Sequence, residues 1–141
     1  YNKGMSKKII DIIALSFALT SCNMTLLQYE DFKEHQITFQ NIFVEQDHHL
    51  VYFYEETCFH CQKIKQKVLS FFSKTTMLFY LVDEIPMEQI DKNYQKSLGK
   101  ERPEDVFIPG FPTMMMIENQ KITKFYIGSM EIQKWIDEVE K

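Results

Sequence analysis

The chain is expected to fold as an α/β three-layer sandwich, a mixed central sheet flanked by helices, and three observations lead there. Short apolar runs alternate with segments of helical period, the last two runs are spaced as an antiparallel hairpin, and a final amphipathic stretch closes the chain. With 141 residues, 45% apolar and 14% aromatic, it is long and apolar enough for one buried core.

The elements follow in order. Ile37, Phe39, Ile42, Phe43 and Gln46 recur at helical spacing and predict a helix that ends before the polar Asp47-His48-His49, read as a solvated turn. Leu50 to Tyr54 is apolar on both faces, as a central strand must be. From Phe59 the period changes. Cys61, Ile64, Val68 and Phe71 or Phe72 fall on one side, with Lys63, Lys65, Gln66 and Lys67 opposite, an amphipathic helix. Met77 to Val82 predicts a second strand. Pro86 then opens a segment whose Met87, Ile90, Tyr94 and Leu98 predict a helix stopped by Gly99. After the polar loop Lys100 to Asp105, Thr113 to Ile117 and Lys121 to Ile127 predict the hairpin. Ser129 is the expected cap of a last helix with Met130, Trp135, Ile136 and Val139 inward.

The N-terminus reads differently. From Met5 come two lysines, an apolar run from Ile9 to Leu19 broken by Asp11 and Ser16, and then Thr20-Ser21-Cys22. That order is a signal peptide's, and the run is too short to span a bilayer. Leu19-Thr20-Ser21-Cys22 resembles the bacterial lipobox, which implies diacylglycerol on Cys22 and extracytoplasmic anchoring; cleavage without lipidation and a buried N-terminal helix are the alternatives. Residues 1–22 are therefore the extension and lipoprotein signal peptide, 23–36 a tether, and 37–141 the domain. Net charge is -4; without residues 1–21 it is -6, with 13 basic and 19 acidic residues, which makes nucleic acid a poor partner.

Cys58 and Cys61 form a C-x-x-C that follows a strand and opens a helix. Backbone N–H groups at a helix N-terminus favour an anionic sulfur, and His60 between the cysteines adds a positive charge or a hydrogen bond; both effects make the disulfide more oxidising. Cys61, one turn further in, is placed to resolve a mixed disulfide. Taken alone the motif also fits half a zinc site, but there is no second cysteine pair, and one strand length separates His48 and His49 from the cysteines. A carrier of a soft ion such as Cu(I), or a binding module that has kept the fold, remain alternatives. The run Met114-Met115-Met116 reads as core.

VYFYEETCFHC, Val51 to Cys61, resembles the strand and active-site turn of the thioredoxin superfamily, and Phe111-Pro112-Thr113 resembles its cis-proline turn. Over about residues 37–140 the chain is similar to small exported bacterial thioredoxin-like proteins, including bacteriocin transport accessory proteins. The resemblance implies a thiol-disulfide oxidoreductase without a cofactor. Cys58 would be the nucleophile, Cys61 the resolving thiol, His60 the tuner and Pro112, after a cis bond, the substrate platform, with Phe59, Phe111 and Thr113 meeting substrate. Its partners would be thiols or disulfides of exported proteins and a membrane redox partner. Two departures stand out. Phe59-His60 replaces the usual Gly-Pro, and its histidine is similar to the C-P-H-C of periplasmic oxidases. Tyr52 stands where thioredoxins bury an acid; Glu55 and Glu56 are the candidate substitutes, but both read better as solvated loop carboxylates whose charge opposes the thiolate.

Overall fold

The structure, a computed structural model, describes residues 25–45 and 47–141. The segment read as a signal peptide, with Cys22, lies outside them. Four strands form one mixed sheet: β1 (His48–Phe53), β2 (Leu78–Val82), β3 (Thr113–Glu118) and β4 (Lys121–Ile127), in the order β2-β1-β3-β4. β1 runs parallel to β2 and antiparallel to β3, and β3 pairs antiparallel with β4. Helix α1 (Phe59–Lys74) supplies the crossover between the parallel pair, and α2 (Gly128–Val139) ends the chain.

Alternation along β1 explains the layers. Leu50, Tyr52 and Tyr54 join the core under α1 and α2, with Ile64, Val68, Ile132 and Trp135. Val51 and Phe53 point to the opposite core, with Phe39, Ile42, Val106 and Ile108. Met114 and Met115 of β3 divide in the same way, one to each face, both fully buried. A strand buried on both faces reads as an unbroken apolar run, which is how the sequence shows β1.

Among the described residues the layer opposite α1 and α2 holds no α-helix; it is built of loops and 3-10 turns, against two helices expected. The segment 37–46 contributes only the turn Phe39–Asn41. Gln36 bridges Leu81, and the Ile37 N–H donates to the Leu81 carbonyl, so the chain enters extended along the edge of β2. Asn41 then bonds the Thr38 hydroxyl, a local contact that competes with helix formation. The segment after Pro86 is likewise broken into turns at Met87–Gln89 and Tyr94–Ser97. Ile90 pairs with Ile108 instead, and Asp91 accepts the Asn93 N–H, so Met87, Ile90 and Leu98 are exposed rather than aligned inward.

Two further expectations need correction. His49 is not in a solvated turn. It is fully buried in β1 and its Nε2–H donates to the Ile42 carbonyl at 2.8 Å, while burial pulls its pKa below the usual histidine value. His48 alone faces outward, 3.0 Å from Glu118. At α2, Gly128 adopts a positive φ of 77° and the helix starts there, so Ser129 lies inside the first turn and does not cap it. The Glu131 carboxylate accepts the Ile127 N–H instead, at 3.0 Å. The buried stripe becomes Ser129, Ile132, Trp135 and Ile136; Met130 is 83% exposed and Val139 is also outside.

The segment read as a tether is packed from Leu27 onward. Tyr29–His35 is a 3-10 helix kinked at Phe32, with Tyr29 and Phe32 buried. Tyr29 stacks on Tyr54 at 3.6 Å between ring centroids, and the Gln66 side chain of α1 bonds both the N–H and the carbonyl of Leu27.

Candidate active site

The loop Tyr54 to Thr57 carries the chain from the end of β1 into α1 and delivers Cys58 to the N-cap of that helix. There Cys58 has extended backbone angles and a half-buried side chain, and its Sγ accepts the Cys61 N–H at 3.3 Å. A sulfur at this position meets N–H groups that have no partner within the helix, which stabilises negative charge on it. The Cys58 N–H donates to the Glu55 carbonyl at 3.2 Å, and Gln62 reaches back to the Glu56 carbonyl at 2.8 Å, so the loop is held from both sides. Cys61 is one helical turn on and 1% exposed. Both thiols are free in this structure.

Phe111-Pro112 sits opposite, and its peptide bond is cis as the motif implied. The Phe111 carbonyl accepts the Cys58 S–H at 3.7 Å. Pro112 is buried, and its carbonyl accepts the N–H of Gly128, tying the proline turn to the start of α2. Thr113 is fully buried, with its hydroxyl donating to the Gly110 carbonyl at 2.8 Å, so its side chain shapes the turn. Phe59 and His60 are both exposed, ring edge against face at 5.5 Å. Residues far apart in sequence, Cys58 to Cys61 and Phe111 to Thr113, therefore meet at one end of the sheet.

Burial pushes the Cys61 thiol up to about 12, its hydrogen bond with Cys58 adds to the shift, and a backbone hydrogen bond at Glu55 opposes it. Behind Cys61 the same core cluster holds Tyr29, Tyr52 and Tyr54. The hydroxyls of Tyr29 and Tyr52 approach one another, yet neither makes a well-aligned hydrogen bond, and burial raises both above the usual phenol range. Among the described residues no Asp or Glu is buried, and Glu55 and Glu56 are exposed. Cys61 thus has aromatic hydroxyls behind it where an acid was the family expectation. Sequence reading missed Tyr29; the signal available was its spacing of three from Phe32, both of which turn inward.

A pH dependence follows. In the unfolded chain the Cys61 thiol ionises near 9.0, whereas in the reduced fold it keeps its proton to about 12. Between these values the folded state binds more protons than the unfolded one, so stability falls as pH rises. In the disulfide the ionising group is gone. Denaturant midpoints followed from about pH 8 to about pH 11 should therefore drop more steeply for the reduced than for the oxidised protein, the buried tyrosines contributing to both. Parallel curves would show that Cys61 is not buried as a thiol.

Among the described residues no three His, Cys, Asp or Glu side chains are gathered to hold a metal ion. His48 and His49 are engaged with Glu118 and Ile42, away from the cysteines.

The family model described as Thioredoxin matches residues 30–141. Among solved structures, mitochondrial thioredoxin 3 from Saccharomyces cerevisiae, in its oxidised form, is similar at 15% identity and a TM-score of 0.50, over 73% of this chain and 92% of that one. Thioredoxin f2 of Chlamydomonas reinhardtii is similar at 17% identity and a TM-score of 0.50, over 74% and 92%. At such identities the likeness concerns the fold. No curated protein matches the chain significantly. With the fold, the cysteine pair and the match over residues 30–141 in agreement, the chain belongs to the thioredoxin family.

Proposed function

We propose that this protein exchanges disulfides in exported proteins and is anchored by a lipid on Cys22 to the outer face of a bacterial membrane. The observation that carries the redox reading is Cys58 at the N-cap of α1, its sulfur between the Cys61 N–H and the Phe111 carbonyl, with Cys61 buried one turn behind. Support for the anchor is the order of residues from Met5 to Cys22.

The reaction balances without a cofactor. The Cys58 thiolate attacks one sulfur of a client disulfide, and the other client sulfur leaves as a thiolate that takes up a proton. Cys61 gives its proton to solvent and attacks the Cys58 sulfur, which releases the second client thiolate and leaves a Cys58–Cys61 disulfide. Two electrons pass from protein to client. The reverse sequence oxidises a client dithiol, and a membrane redox partner resets the pair. The high affinity of Cys61 for its proton makes the resolving step the one that rising pH accelerates. His60 tunes the pair, and the Phe111 backbone and Phe59 ring meet the client beside Pro112.

Two experiments test the two halves. The reduced protein mixed with oxidised glutathione should form one intramolecular disulfide per chain, joining Cys58 to Cys61 with release of two glutathione thiols, and a variant with Cys58→Ser and Cys61→Ser should form no intramolecular disulfide. Cells fed radiolabelled palmitate should label the protein in the membrane fraction, and Cys22→Ser should abolish the label. A labelled Cys22→Ser protein would refute the anchor and leave the redox reading standing.

A further inference from the structure

We infer that the clients carry a basic and apolar segment next to the cysteine that reacts with Cys58; this rests on the redox reading and names its substrate class. A groove of about 720 Å³ runs beside the cysteine pair. That volume is in the range of cavities that hold a ligand. Apolar side chains line it, among them Ile37, Ile85, Pro86, Ile90 and Phe111, and Ile90 is 43% exposed. These groups lie open because Ile85 to Ile90 form turns and a bridge to Ile108 in place of a helix that would have turned them inward.

The polar part of the lining has one sign. Glu55, Asp83 and Glu84 are exposed and line the groove, and no Lys, Arg or His does. None of the three forms an ion pair among the described residues; the Glu55 carboxylate accepts the Thr57 hydroxyl. Some carboxylates elsewhere are neutralised, as Asp137 and Glu140 are by Lys67 and Asp91 is by Lys96, whereas the three in the groove keep their full charge. Carboxylates of one sign along a low-dielectric cleft attract cations and raise their rate of arrival.

The groove is continuous with the redox site through two residues. Phe111 lines it and also accepts the Cys58 S–H; Glu55 lines it and its carbonyl accepts the Cys58 N–H. An extended polypeptide advances about 3.3 Å per residue, so with its sulfur at Cys58 the next few residues enter the groove. An apolar side chain there is buried against Ile85 and Phe111, and a Lys or Arg meets the carboxylates. Nucleic acid is repelled by the same charges.

The test uses two short peptides with a single cysteine, each supplied as its mixed disulfide with glutathione. In one the cysteine is flanked by leucine and lysine, in the other by leucine and glutamate. The reduced protein transfers two electrons to each, releasing peptide thiol and glutathione and leaving the Cys58–Cys61 disulfide. At low ionic strength the lysine peptide should react about tenfold faster, and the ratio should shrink as salt shortens the screening length to about 10 Å at 0.1 M. A double variant, Asp83→Asn with Glu84→Gln, should lower the ratio several-fold. Overall negative charge acts on both peptides in either protein, so only the change in ratio reports the groove. Unfolding lowers both rates together and leaves the ratio unmoved, and Glu55→Gln provides an independent second variant. Equal rates in the unaltered protein, or a preference that survives all three substitutions, would overturn the inference while oxidised glutathione still reacts. Failure with both peptides and with oxidised glutathione would overturn the redox reading and the inference with it.

Discussion

Replacing Cys61 by serine should trap the protein on its clients through Cys58, and replacing Cys58 should trap nothing. Cys58 is half-buried at a helix N-cap with its sulfur at the surface that faces Phe111, so an incoming disulfide can reach it. Cys61 is 1% exposed and lies one turn behind the Cys58 sulfur, which accepts its N–H. Without Cys61 the first exchange proceeds and the second cannot, so client release should slow on the order of a thousandfold or more, the scale expected when a nucleophile is removed. Mixed disulfides separated on non-reducing gels, and dissolved by dithiothreitol, are the readout. If Cys58→Ser forms the adducts and Cys61→Ser does not, the roles of the two cysteines are reversed.

A large loss of stability is expected on truncating Tyr29. Its ring is 2% exposed, stacks on Tyr54 and takes Lys65 over its face at 4.7 Å, next to the core that covers Cys61. Truncating a buried aromatic to alanine costs about 3–5 kcal/mol through lost burial and the cavity left behind. The hydroxyl has no well-aligned partner, so Tyr29→Phe should change stability by less than about 1 kcal/mol. Denaturant titrations of the two variants separate ring from hydroxyl. An unchanged midpoint for Tyr29→Ala would mean that residues 27–36 are not part of the cooperative domain.

The elements that were legible share a cause. α1 and the hairpin declare themselves locally: α1 by a long amphipathic period behind its capping cysteine, and the hairpin by Asn119 and Gln120, both at positive φ as a two-residue turn between twisted strands requires. The cysteine pair and Phe111-Pro112-Thr113 were legible as motifs, and the fold brings them together. What was misread depended on distant partners. Ile37 and Ile90 sat at helical spacing, but their backbones pair with Leu81 and Ile108. His49 looked polar until the Ile42 carbonyl supplied the bond that lets it be buried. Tyr29 lay in a polar stretch where only its spacing from Phe32 hinted at burial, and what buries it is distant in sequence, the Tyr54 ring it stacks on and the Gln66 bonds that hold Leu27. The inward stripe of α2 was displaced because the helix begins at Gly128 and not after Ser129.

If Cys58 and Cys61 form one reversible two-electron pair, the equilibrium between dithiol and disulfide across glutathione buffers, with thiols trapped at each ratio and the pair identified by peptide mapping, should show a single transition joining Cys58 to Cys61. A midpoint well above about -270 mV, the thioredoxin value, would make the protein an oxidant or isomerase tuned by His60, and one at or below it a reductant. Absence of that disulfide at every ratio would contradict the account.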